Sequence, residues 1–428
     1  MAFNIPYSEK KRVVIIGAGF GGFILAQQLR CKYFQIVLID KNNYHQFQPL
    51  FYQVAMSGLE PSSICFPIRK NFRNDENIFI RIAEVTNINP TDKKLISNIG
   101  ELDYDFLIIA FGNSTNYFGN ENFKKWSIPL KSVSEALYLR NRILEDLEAS
   151  VLEQDEFIKD VLLDVVIVGG GPTGVELAGS LAEMKRHILP KDYPDLKVEL
   201  MDIHLIQNGD RLLNNMSVKS SENALKSLQK MGVNVHLNKM VKDISETGVL
   251  LSSGEFIKSK KVIWAAGVKA NKLLGLPADV YAHDGRIIVN ENCEVKGAPD
   301  VYCIGDAALF VSESFPSGLP ALAPVAIQQA TYLAKLLKKK HQKQSLYPFV
   351  YFDKGQMATI GRNKAVFDYK QIHVQGFIAW IIWLFVHIYF LVGLRNRIIV
   401  FINWFWSYLF YDQALRINIK PYVPEKQE

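Results

Sequence analysis

The chain has 428 residues, of which 49% are hydrophobic, so it is long enough for two or three domains with well-filled cores. Its net charge of +6 is modest, and no long lysine and arginine block is present, which argues against a nucleic-acid-binding protein. The four cysteines include no CxxC pair, which excludes a dithiol redox motif and a zinc ribbon, and we expect reduced cysteines and no metal site.

The first predicted element is a buried strand over residues 13–16, which leads into a glycine-rich turn. Gly17, Gly19 and Gly22 follow the GxGxxG spacing and open a helix predicted over residues 20–29. In this pattern the first glycine allows the turn, the second lets the backbone approach a pyrophosphate, and the third lets helix and strand pack. The phosphate would lie at the helix N-terminus, where free N–H groups and the helix dipole favour negative charge.

A second strand, predicted over residues 35–39, ends in Asp40. This carboxylate is placed to bind a ribose hydroxyl group, so the first glycine-rich turn has the context of a dinucleotide site. Residues 41–55 are too polar and aromatic for a plain helix and too apolar for a solvated loop. They predict either an ordered connection packed on the sheet or a cover over a flavin.

The next elements are predicted strands. Residues 83–88 and 94–97 alternate in the manner of antiparallel strands. Residues 102–110 read as another buried strand, which ends at the small-residue turn 111–114, a place where flavin- and nicotinamide-binding chains pass close to the cofactor. Residues 132–152, rich in glutamate and arginine, predict a helix.

The glycine fingerprint then occurs a second time. An apolar run over residues 163–168 precedes Gly169, Gly171 and Gly174, which repeat the spacing about 150 residues after the first copy. Two fingerprints indicate two nucleotides, and one domain for a flavin and one for a nicotinamide is the simplest explanation. The alternative is that one copy is an ordinary strand–turn–helix.

The ribose position of the second copy is occupied by Gln207, at the end of a strand predicted from residue 203. A carboxylate there would bind the ribose of NADH and repel the extra phosphate of NADPH, and glutamine does neither strongly. We therefore expect NADH to be used with weakened discrimination against NADPH. Residues 262–268 repeat the strand-then-glycine exit and are expected beside the nicotinamide.

Residues 300–308 form a strand that ends in Gly305-Asp306. Asp306 is suited to bond the ribityl and pyrophosphate region of a flavin, a role compatible with that of a helix N-cap. A helix predicted over residues 320–337 follows, and the dipole at its N-terminus would stabilise a reduced anionic flavin ring.

The C-terminal end is strongly apolar. Residues 376–394 are 19 residues without a charge, residues 398–410 are a second apolar run, and four of the six tryptophans lie in this region. Three structures are compatible with it: a spanning helix, a buried dimer helix, and a pair of helices lying in one leaflet. We favour the in-plane pair.

With both fingerprints, the Gly-Asp strand and the C-terminal region, the chain resembles the type II NADH dehydrogenases, which are single-subunit NADH:quinone oxidoreductases. The resemblance runs from about residue 12 to residue 419, and its most specific parts are residues 44–50, 169–183, 187–194 and 387–408. It implies non-covalent FAD, NADH as substrate, a membrane quinone acceptor, no proton pumping, and monotopic attachment of a homodimer to the lipid bilayer surface. An N-terminus without a signal peptide and the supply of NADH point to the cytoplasmic face of the inner membrane.

The fold class expected is α/β, with two Rossmann-like domains of the glutathione-reductase type and a C-terminal membrane-associating helical region. The FAD domain is predicted over residues 1–119 and 296–370, the NAD(P)H domain over 120–295, and the membrane region over 371–428. The FAD candidates are Gly17, Ala18, Gly19, Phe20, Gly21, Gly22, Asp40, Lys41, Gln48, Val85, Ala110, Gly112, Asp306, Ala323 and Pro324. The NAD(P)H candidates are Gly169, Gly171, Pro172, Thr173, Gly174, Gln207, Ala266, Gly267 and Val268.

Glu176 is the first candidate for a functional carboxylate. In the family that the chain resembles, the glutamate after the second fingerprint lies near the flavin, between the nicotinamide and quinone sites. Glu176 would relay a proton to the quinone if burial raises its pKa, and the alternative is a carboxylate favoured by the helix dipole. Gln328 and His387 are further quinone candidates. The family has an Ala-Gln pair where this chain has Ala323-Pro324, which puts in doubt how the quinone head group is held.

Other functions fit less well. A sulfide:quinone oxidoreductase needs a cysteine pair near the flavin, and no cysteine occurs between Cys65 and Cys293. A soluble FAD-dependent NAD(P)H reductase of another acceptor would not explain residues 376–410. A flavin-based membrane redox sensor, which uses NADH only as a switch, is the non-enzymatic alternative.

Overall fold

A computed structural model describes residues 3–411 and 415–418 of the chain. The predicted C-terminal region therefore includes two stretches, 412–414 and 419–428, that lie outside the described residues, as does the end of the resemblance at residue 419. The described residues divide into two compact units. Unit 1 comprises 1–46, 65–114 and 268–354, and unit 2 comprises 47–64, 115–267 and 355–428, less the residues not described.

The helices of the described residues alternate with strands through most of the chain. In chain order, α1 to α13 are Phe20–Gln28, Phe51–Ala55, Pro61–Ile64, Ile68–Asn71, Glu121–Trp126, Val133–Leu152, Glu156–Leu163, Pro172–His187, Leu189–Asp192, Val218–Lys230, Ala323–His341, Phe377–Phe390 and Leu394–Phe410. Short 3₁₀ turns include Gln48–Leu50 and Gly305–Ala307.

The strands are short, as is usual for this class of fold. In chain order, β1 to β25 are Lys11–Ile16, Phe34–Asp40, Tyr44–Gln46, Cys65–Pro67, Ile78–Ile82, Val85–Asn89, Lys94–Ser97, Gly100–Asp103, Phe106–Ile109, Asn113–Thr115, Ile128–Pro129, Val165–Val168, Ile203–Ile206, Val233–His236, Val241–Ser245, Gly248–Leu251, Phe256–Lys258, Lys261–Trp264, Val268–Ala270, Ile287–Ile288, Val301–Cys303, Ala308–Leu309, Gln356–Gly361, Lys364–Tyr369 and Ile372–Gln375.

Unit 1 is organised around a five-stranded parallel sheet of order β21-β9-β1-β2-β5. Residues 13–16 of β1, 34–39 of β2 and 106–109 of β9 are buried, as expected for the central strands of a parallel sheet. Helices α1 and α11 pack against each other, and Gln28 Nε2 donates to Thr331 Oγ1 at 3.0 Å between them. A three-stranded antiparallel sheet, β6-β7-β8, completes the larger sheets of this unit.

Unit 2 repeats the plan with a five-stranded parallel sheet of order β11-β18-β12-β13-β14. One of its faces is covered by the antiparallel sheet β15-β16-β17, whose Val249 and Leu251 pack in one core with Val166 and Trp264. The second antiparallel sheet, β23-β24-β25, packs on α8 and carries α12.

The predicted fold class is confirmed: two Rossmann-like parallel sheets and a C-terminal helical region are present. Two local expectations need correction. The strand predicted over residues 102–110 is two strands, β8 and β9, separated by a turn at Tyr104 and Asp105. The apolar run that begins at Leu163 is a helix end followed by a strand, because Leu163 closes α7 and β12 starts at Val165.

The uncharged run near the C-terminus does not form one long helix. Helix α12 ends at Phe390, and α13 begins at Leu394 after a break that contains Gly393, whose φ is +89°. Within residues 3–411 and 415–418, no helix has the combination of length and apolar character that crossing a bilayer requires. The spanning alternative for residues 376–394 is therefore wrong.

Candidate functional site

The first glycine-rich turn has the close packing that a dinucleotide cradle requires. Gly17 has a φ of +101°, and a Cβ there would lie 2.4 Å from the Ala110 carbonyl oxygen. A Cβ at Gly22 would lie 1.8 Å from the Gly17 carbonyl oxygen, so this position also excludes any side chain. A Cβ at Gly19, by contrast, would meet no atom within 4 Å. The first and third glycines thus serve packing, while the second faces open space at the start of α1.

Asp40, at the end of β2, closes this turn. Its Oδ2 accepts a hydrogen bond of 2.6 Å from the Ala18 N–H, and its Oδ1 accepts one of 2.7 Å from the Asn42 N–H. Burial raises the pKa of Asp40 above the ordinary carboxyl value, although these backbone hydrogen bonds act in the opposite direction. The carboxylate thereby holds the turn at the end of β2, where dinucleotide-binding folds place the acidic residue that bonds a ribose.

The same turn is supported by His45, which the sequence analysis did not single out by itself. His45 Nδ1 donates to the Ala18 carbonyl oxygen at 2.9 Å, and its ring stacks on Phe23 with centroids 4.7 Å apart. Burial lowers the pKa of His45 to about 4, so the ring is neutral at physiological pH. The one feature of the sequence that pointed to His45 was its position in the segment 44–50, which is among the most specific parts of the family resemblance.

The remaining flavin candidates of unit 1 lie near several chain turns. Asn113 Nδ2 donates to Asp306 Oδ2 at 2.8 Å, next to the turn at Gly112, whose φ is +70°. Lys41 forms an exposed ion pair with Glu84 at 2.6 Å, and Val85 begins β6. Phe20 opens α1, Gly21 is buried within it, and Ala323 and Pro324 open α11. Gln48 belongs to unit 2, where it is exposed.

The second glycine-rich turn, in unit 2, has the same construction. Gly169 has a φ of +115°, and a Cβ there would lie 2.7 Å from the Ala265 carbonyl group. A Cβ at Gly174 would lie 1.9 Å from the Gly169 carbonyl oxygen, whereas at Gly171 it would meet no atom within 4 Å. Pro172 and Thr173 are exposed in the first turn of α8, so this end of the helix is accessible.

Gln207 takes the place that Asp40 has in the first turn. Gln207 Oε1 accepts a hydrogen bond of 2.9 Å from the Gly170 N–H. The amide oxygen thus performs the structural part of the carboxylate's role without its charge. Gly267, at the exit of β18, has a φ of +77° and is packed beneath the Phe118 ring, with Ala266 beside it. Val268 belongs to unit 1 and is exposed.

Glu176 lies in the second turn of α8 and is buried. Its Oε1 accepts a hydrogen bond of 3.3 Å from the Thr359 N–H. Burial raises the pKa of Glu176 to about 8, and the Thr359 N–H and the indole of Trp383 lower it only in part. The Trp383 Nε1 atom is itself buried and makes no regular hydrogen bond among the described residues. A carboxyl group in this setting is protonated at neutral pH.

A set of aromatic and amide side chains surrounds this part of unit 2. Burial and the charge of Glu176 raise the pKa of Tyr52 well above its ordinary value. Gln53 Nε2 donates to the Tyr52 hydroxyl oxygen at 2.9 Å, and Gln53 Oε1 accepts from Trp404 Nε1 at 2.7 Å. The rings of Trp383 and Trp404 have centroids 5.4 Å apart. Tyr52 and Gln53 therefore join α2 to α13, and no motif or spacing singled them out beforehand.

Of the other quinone candidates, His387 belongs to unit 2, as Glu176 does, and Gln328 belongs to unit 1. His387 is buried, stacks on Trp383 with centroids 4.0 Å apart and donates through Nδ1 to the Trp383 carbonyl oxygen at 2.7 Å. Burial lowers its pKa to about 4. Gln328 belongs to unit 1, and its side-chain amide bonds both the N–H and the carbonyl group of Phe352.

The buried glutamine of α11 is the next residue, Gln329. Its Oε1 accepts a hydrogen bond of 2.7 Å from the Gly305 N–H, beside Asp306. It thereby fixes the Gly-Asp turn to the start of α11. Sequence reasoning missed Gln329 because nothing in a single sequence tells which of two neighbouring glutamines faces inward.

Helices α12 and α13 expose an unusual number of large apolar side chains. Arg397 stabilises the break between them, since its guanidinium donates to the carbonyl oxygens of Leu391 and Tyr389. Only a few residues of the pair are buried, Trp383 and Val400 among them. The following apolar or aromatic side chains are each more than half exposed: Phe377, Ile378, Phe385, Tyr389, Leu394, Phe401, Ile402, Phe405, Trp406, Leu409 and Phe410.

Both turns fit the nucleotides predicted for them. In each, the second glycine leaves open space at a helix N-terminus, which is the environment that a pyrophosphate group needs. In each, the side chain at the end of the second strand bonds the loop and stands at the ribose position. The neutral amide of the second turn differs from the carboxylate of the first.

Comparison with protein families gives two matches. Residues 11–330 match the pyridine nucleotide-disulphide oxidoreductase family, and residues 354–411 match the NDH2 C-terminal domain. The chain is 34% identical over 416 residues to a type II NADH:quinone oxidoreductase of Mycobacterium tuberculosis, with 94% of this chain and 89% of that protein covered. It is 28% identical to a mitochondrial internal alternative NAD(P)H-ubiquinone oxidoreductase of Arabidopsis thaliana, with 96% and 86% covered.

Solved structures show the same fold. The structure of NDH2 from Plasmodium falciparum in complex with NADH is similar with a TM-score of 0.88 and 23% identity, and covers 96% of this chain and 100% of that one. The sulfide:quinone oxidoreductase of Aquifex aeolicus is similar with a TM-score of 0.70 and 19% identity, over 90% and 92% of the two chains.

Proposed function

We infer the roles of individual residues from the premise that this chain belongs to the type II NADH:quinone oxidoreductases of the pyridine nucleotide-disulphide oxidoreductase family. Its activity is the transfer of two electrons from NADH to a quinone in a flavoprotein. Bound FAD supplies the two-electron redox chemistry between the two substrates. The residues of the chain bind and orient the nucleotides and supply protons.

We assign FAD, non-covalently bound, to the turn Gly17–Gly22 and Asp40, and NADH to the turn Gly169–Gly174 and Gln207. The support is the shape of the two turns, each with one glycine facing open space. Gln207 carries no charge to repel a 2′-phosphate, so NADPH is a second substrate. The name of the plant relative includes NAD(P)H, which agrees with this assignment.

The central proposal concerns Glu176, which we assign as the donor of one of the two protons of the quinol; the other hydrogen is the one that NADH supplies as hydride. Formation of a quinol needs two protons as well as two electrons, and a donor must carry its proton at the working pH. Glu176 meets that condition because burial raises its pKa to about 8. When Glu176 is deprotonated, the Thr359 N–H and the nearby Trp383 indole are the dipoles available to stabilise its charge.

The test separates the two half-reactions by stopped flow in the full-length holoenzyme. In Glu176→Gln, reduction of the flavin by NADH should proceed within about twofold of the wild-type rate. Reoxidation by a short-chain quinone should slow by about 10²–10⁴-fold, the usual contribution of a general acid. Glu183→Gln is the matched control, since Glu183 lies on the same helix and accepts a backbone hydrogen bond from Arg362, which glutamine can also accept.

The pH dependence adds a second readout. Because the acid form is the donor, the wild-type rate of quinone reduction should fall as the pH rises through about 8, the pKa of Glu176. The slow reaction of Glu176→Gln should lack this step. Equal slowing of both half-reactions, or an unchanged pH profile, would reduce Glu176 to a structural residue of α8.

We further propose that the exposed apolar side chains of α12 and α13 lie in one leaflet of a membrane at its surface, where the chain takes its quinone. Large contiguous apolar surfaces of this kind mark interaction sites, and aromatic rings favour the membrane interface. The cytoplasmic face of the inner membrane and a homodimer are retained as parts of the proposal, on the family resemblance.

Flotation with vesicles of phosphatidylcholine and phosphatidylglycerol tests the membrane assignment. Point substitutions are preferable to deletion because α12 buries Trp383 beside Glu176. The double variant Phe401→Glu, Phe405→Glu should bind vesicles at least about tenfold more weakly, since two charges replace exposed aromatic rings. Tyr347→Glu, which changes a still more exposed aromatic residue of unit 1, is the control. Vesicle binding that is the same in all three proteins would contradict the assignment.

A further inference from the structure

A group of metal-ligating side chains lies on the parallel sheet of unit 2, at the end away from its glycine-rich turn. Asp164 precedes β12, Asp202 precedes β13, and His204 is the second residue of β13. Ligand atoms of the three side chains all lie within 4.8 Å of one another. Because β12 and β13 pair in parallel, with Val166 opposite His204, the three residues share one face of the sheet.

Hydrogen bonds hold the two carboxylates in place but occupy only one oxygen of each group. The Asp202 N–H donates to Asp164 Oδ1 at 2.7 Å, and Asn234 Nδ2 donates to Asp202 Oδ1 at 3.3 Å. Within the described part of the chain, no hydrogen bond reaches the second oxygen of either group. Asp164 is only 8% exposed, and the nearby ammonium group of Lys261 makes its ion pair with Asp146 instead. A buried carboxylate beside a second one favours a bound cation.

A second histidine gives this group the arrangement of a metal site rather than of an acidic patch. His204 Nδ1 and His236 Nε2 are 3.0 Å apart, so one of the rings donates to the other. If His204 is the donor, its Nε2 carries the lone pair that a metal ion requires. Ligating histidines commonly donate their other N–H to a neighbouring acceptor, which fixes the tautomer and the ring orientation.

We propose that Asp164, Asp202 and His204 bind a divalent transition-metal ion of the zinc class, and that His236 orients the His204 ring. One imidazole nitrogen and two carboxylate oxygens suit Zn²⁺, with water in the fourth position. Mg²⁺ and Ca²⁺ prefer sites made of oxygen ligands only. No metal site was predicted from the sequence because the ligands come from separate parts of the chain and follow no ligand spacing.

The site is connected to the proposed NADH turn through the backbone. The Gln207 N–H donates to the His236 carbonyl oxygen at 2.9 Å, and His204 lies on the strand that ends at Gln207. A bound ion would tie together the starts of β12 and β13, the two strands that lead to the glycine-rich turn and to Gln207. We expect its removal to raise the KM for NADH about two- to fivefold with little change in kcat, a secondary effect that rests on the assignment of NADH to this turn.

The primary test is binding of Zn²⁺ to the full-length holoenzyme after treatment with a chelator. Equilibrium dialysis at a fixed excess of Mg²⁺, with metal analysis of the protein, should give one zinc ion per chain. His204→Gln and Asp202→Asn should each weaken zinc binding at least about tenfold. His283→Gln and Asp195→Asn, which change exposed residues of the same types elsewhere, should leave it unchanged.

The flavin content and the circular dichroism spectrum of each variant check that it is folded. Asp202 is exposed, so Asp202→Asn gives the decisive comparison if His204→Gln proves unstable. The absence of zinc binding by the wild-type protein, or equal binding by wild type and Asp202→Asn, would overturn the site. Zinc binding with an unchanged KM for NADH would support the metal site and contradict only its proposed effect on NADH binding.

Discussion

The two glycine-rich turns of this chain have nearly the same backbone and differ in the side chain that closes each one. Ala18 donates its N–H to a carboxylate of Asp40 at 2.6 Å, whereas Gly170 donates its N–H to the amide oxygen of Gln207 at 2.9 Å. The loop therefore needs only an acceptor at this position. The charge of that acceptor is free to vary with the nucleotide. The hydrogen bond to the loop therefore maintains the turn, and the charge of the side chain selects the nucleotide.

The largest effect should come from filling the third glycine of each turn. A Cβ at Gly22 or Gly174 would lie within 2 Å of a carbonyl oxygen, so alanine must displace the helix from its strand, at a cost of about 1–3 kcal/mol. The Gly22→Ala variant should bind FAD at least about tenfold more weakly than the wild type. Gly174→Ala should keep FAD and lose affinity for NADH. Flavin absorbance and NADH titration measure the two losses, and a loss of both nucleotides in each variant would contradict the separate assignment.

The second glycines should show a smaller and cleaner effect. A Cβ at Gly19 or Gly171 would meet no protein atom within 4 Å, so alanine should leave Tm within about 2 °C of its value in the wild-type apoprotein. The methyl group would still obstruct a pyrophosphate at the helix N-terminus, and about tenfold weaker binding of the corresponding nucleotide is expected. Thermal unfolding without nucleotide separates this result from that of the third glycines. Unaltered nucleotide affinity would show that the phosphate lies elsewhere.

The smallest effect is expected when the amide that accepts the loop hydrogen bond in the second turn is replaced by a carboxylate. Gln207→Asp keeps an oxygen for the Gly170 N–H but adds a charge at the ribose position. The kcat/KM for NADPH should fall about tenfold relative to that for NADH, because the carboxylate repels the 2′-phosphate. Steady-state assays with both reduced nucleotides measure the ratio, and Gln229→Asp on α10 controls for the added charge. An unchanged ratio, or a wild-type preference for NADH above about a thousandfold, would remove Gln207 from nucleotide selection.

The sequence by itself determined the features that depend on short stretches of backbone. Both strand–turn–helix units, their six glycines and the acceptors Asp40 and Gln207 follow from spacing within about forty residues, since a tight turn admits few residue types. Local composition also predicted the helix over residues 132–152, and in the structure the side chains of its N-cap Ser132 and of Glu135 cap each other's backbone.

Only the tertiary structure decided the features that depend on contacts between distant segments. Glu176 becomes a buried acid because Thr359, 183 positions later, and Trp383 of α12 cover it. Tertiary packing also turned Gln329 inward rather than Gln328, and brought Asp164, Asp202 and His204 together. The pKa of a carboxyl group depends on its burial, and a group of ligands must lie at one place in the fold. Both depend on which helices and strands pack together, and the local spacing of residues does not encode that packing.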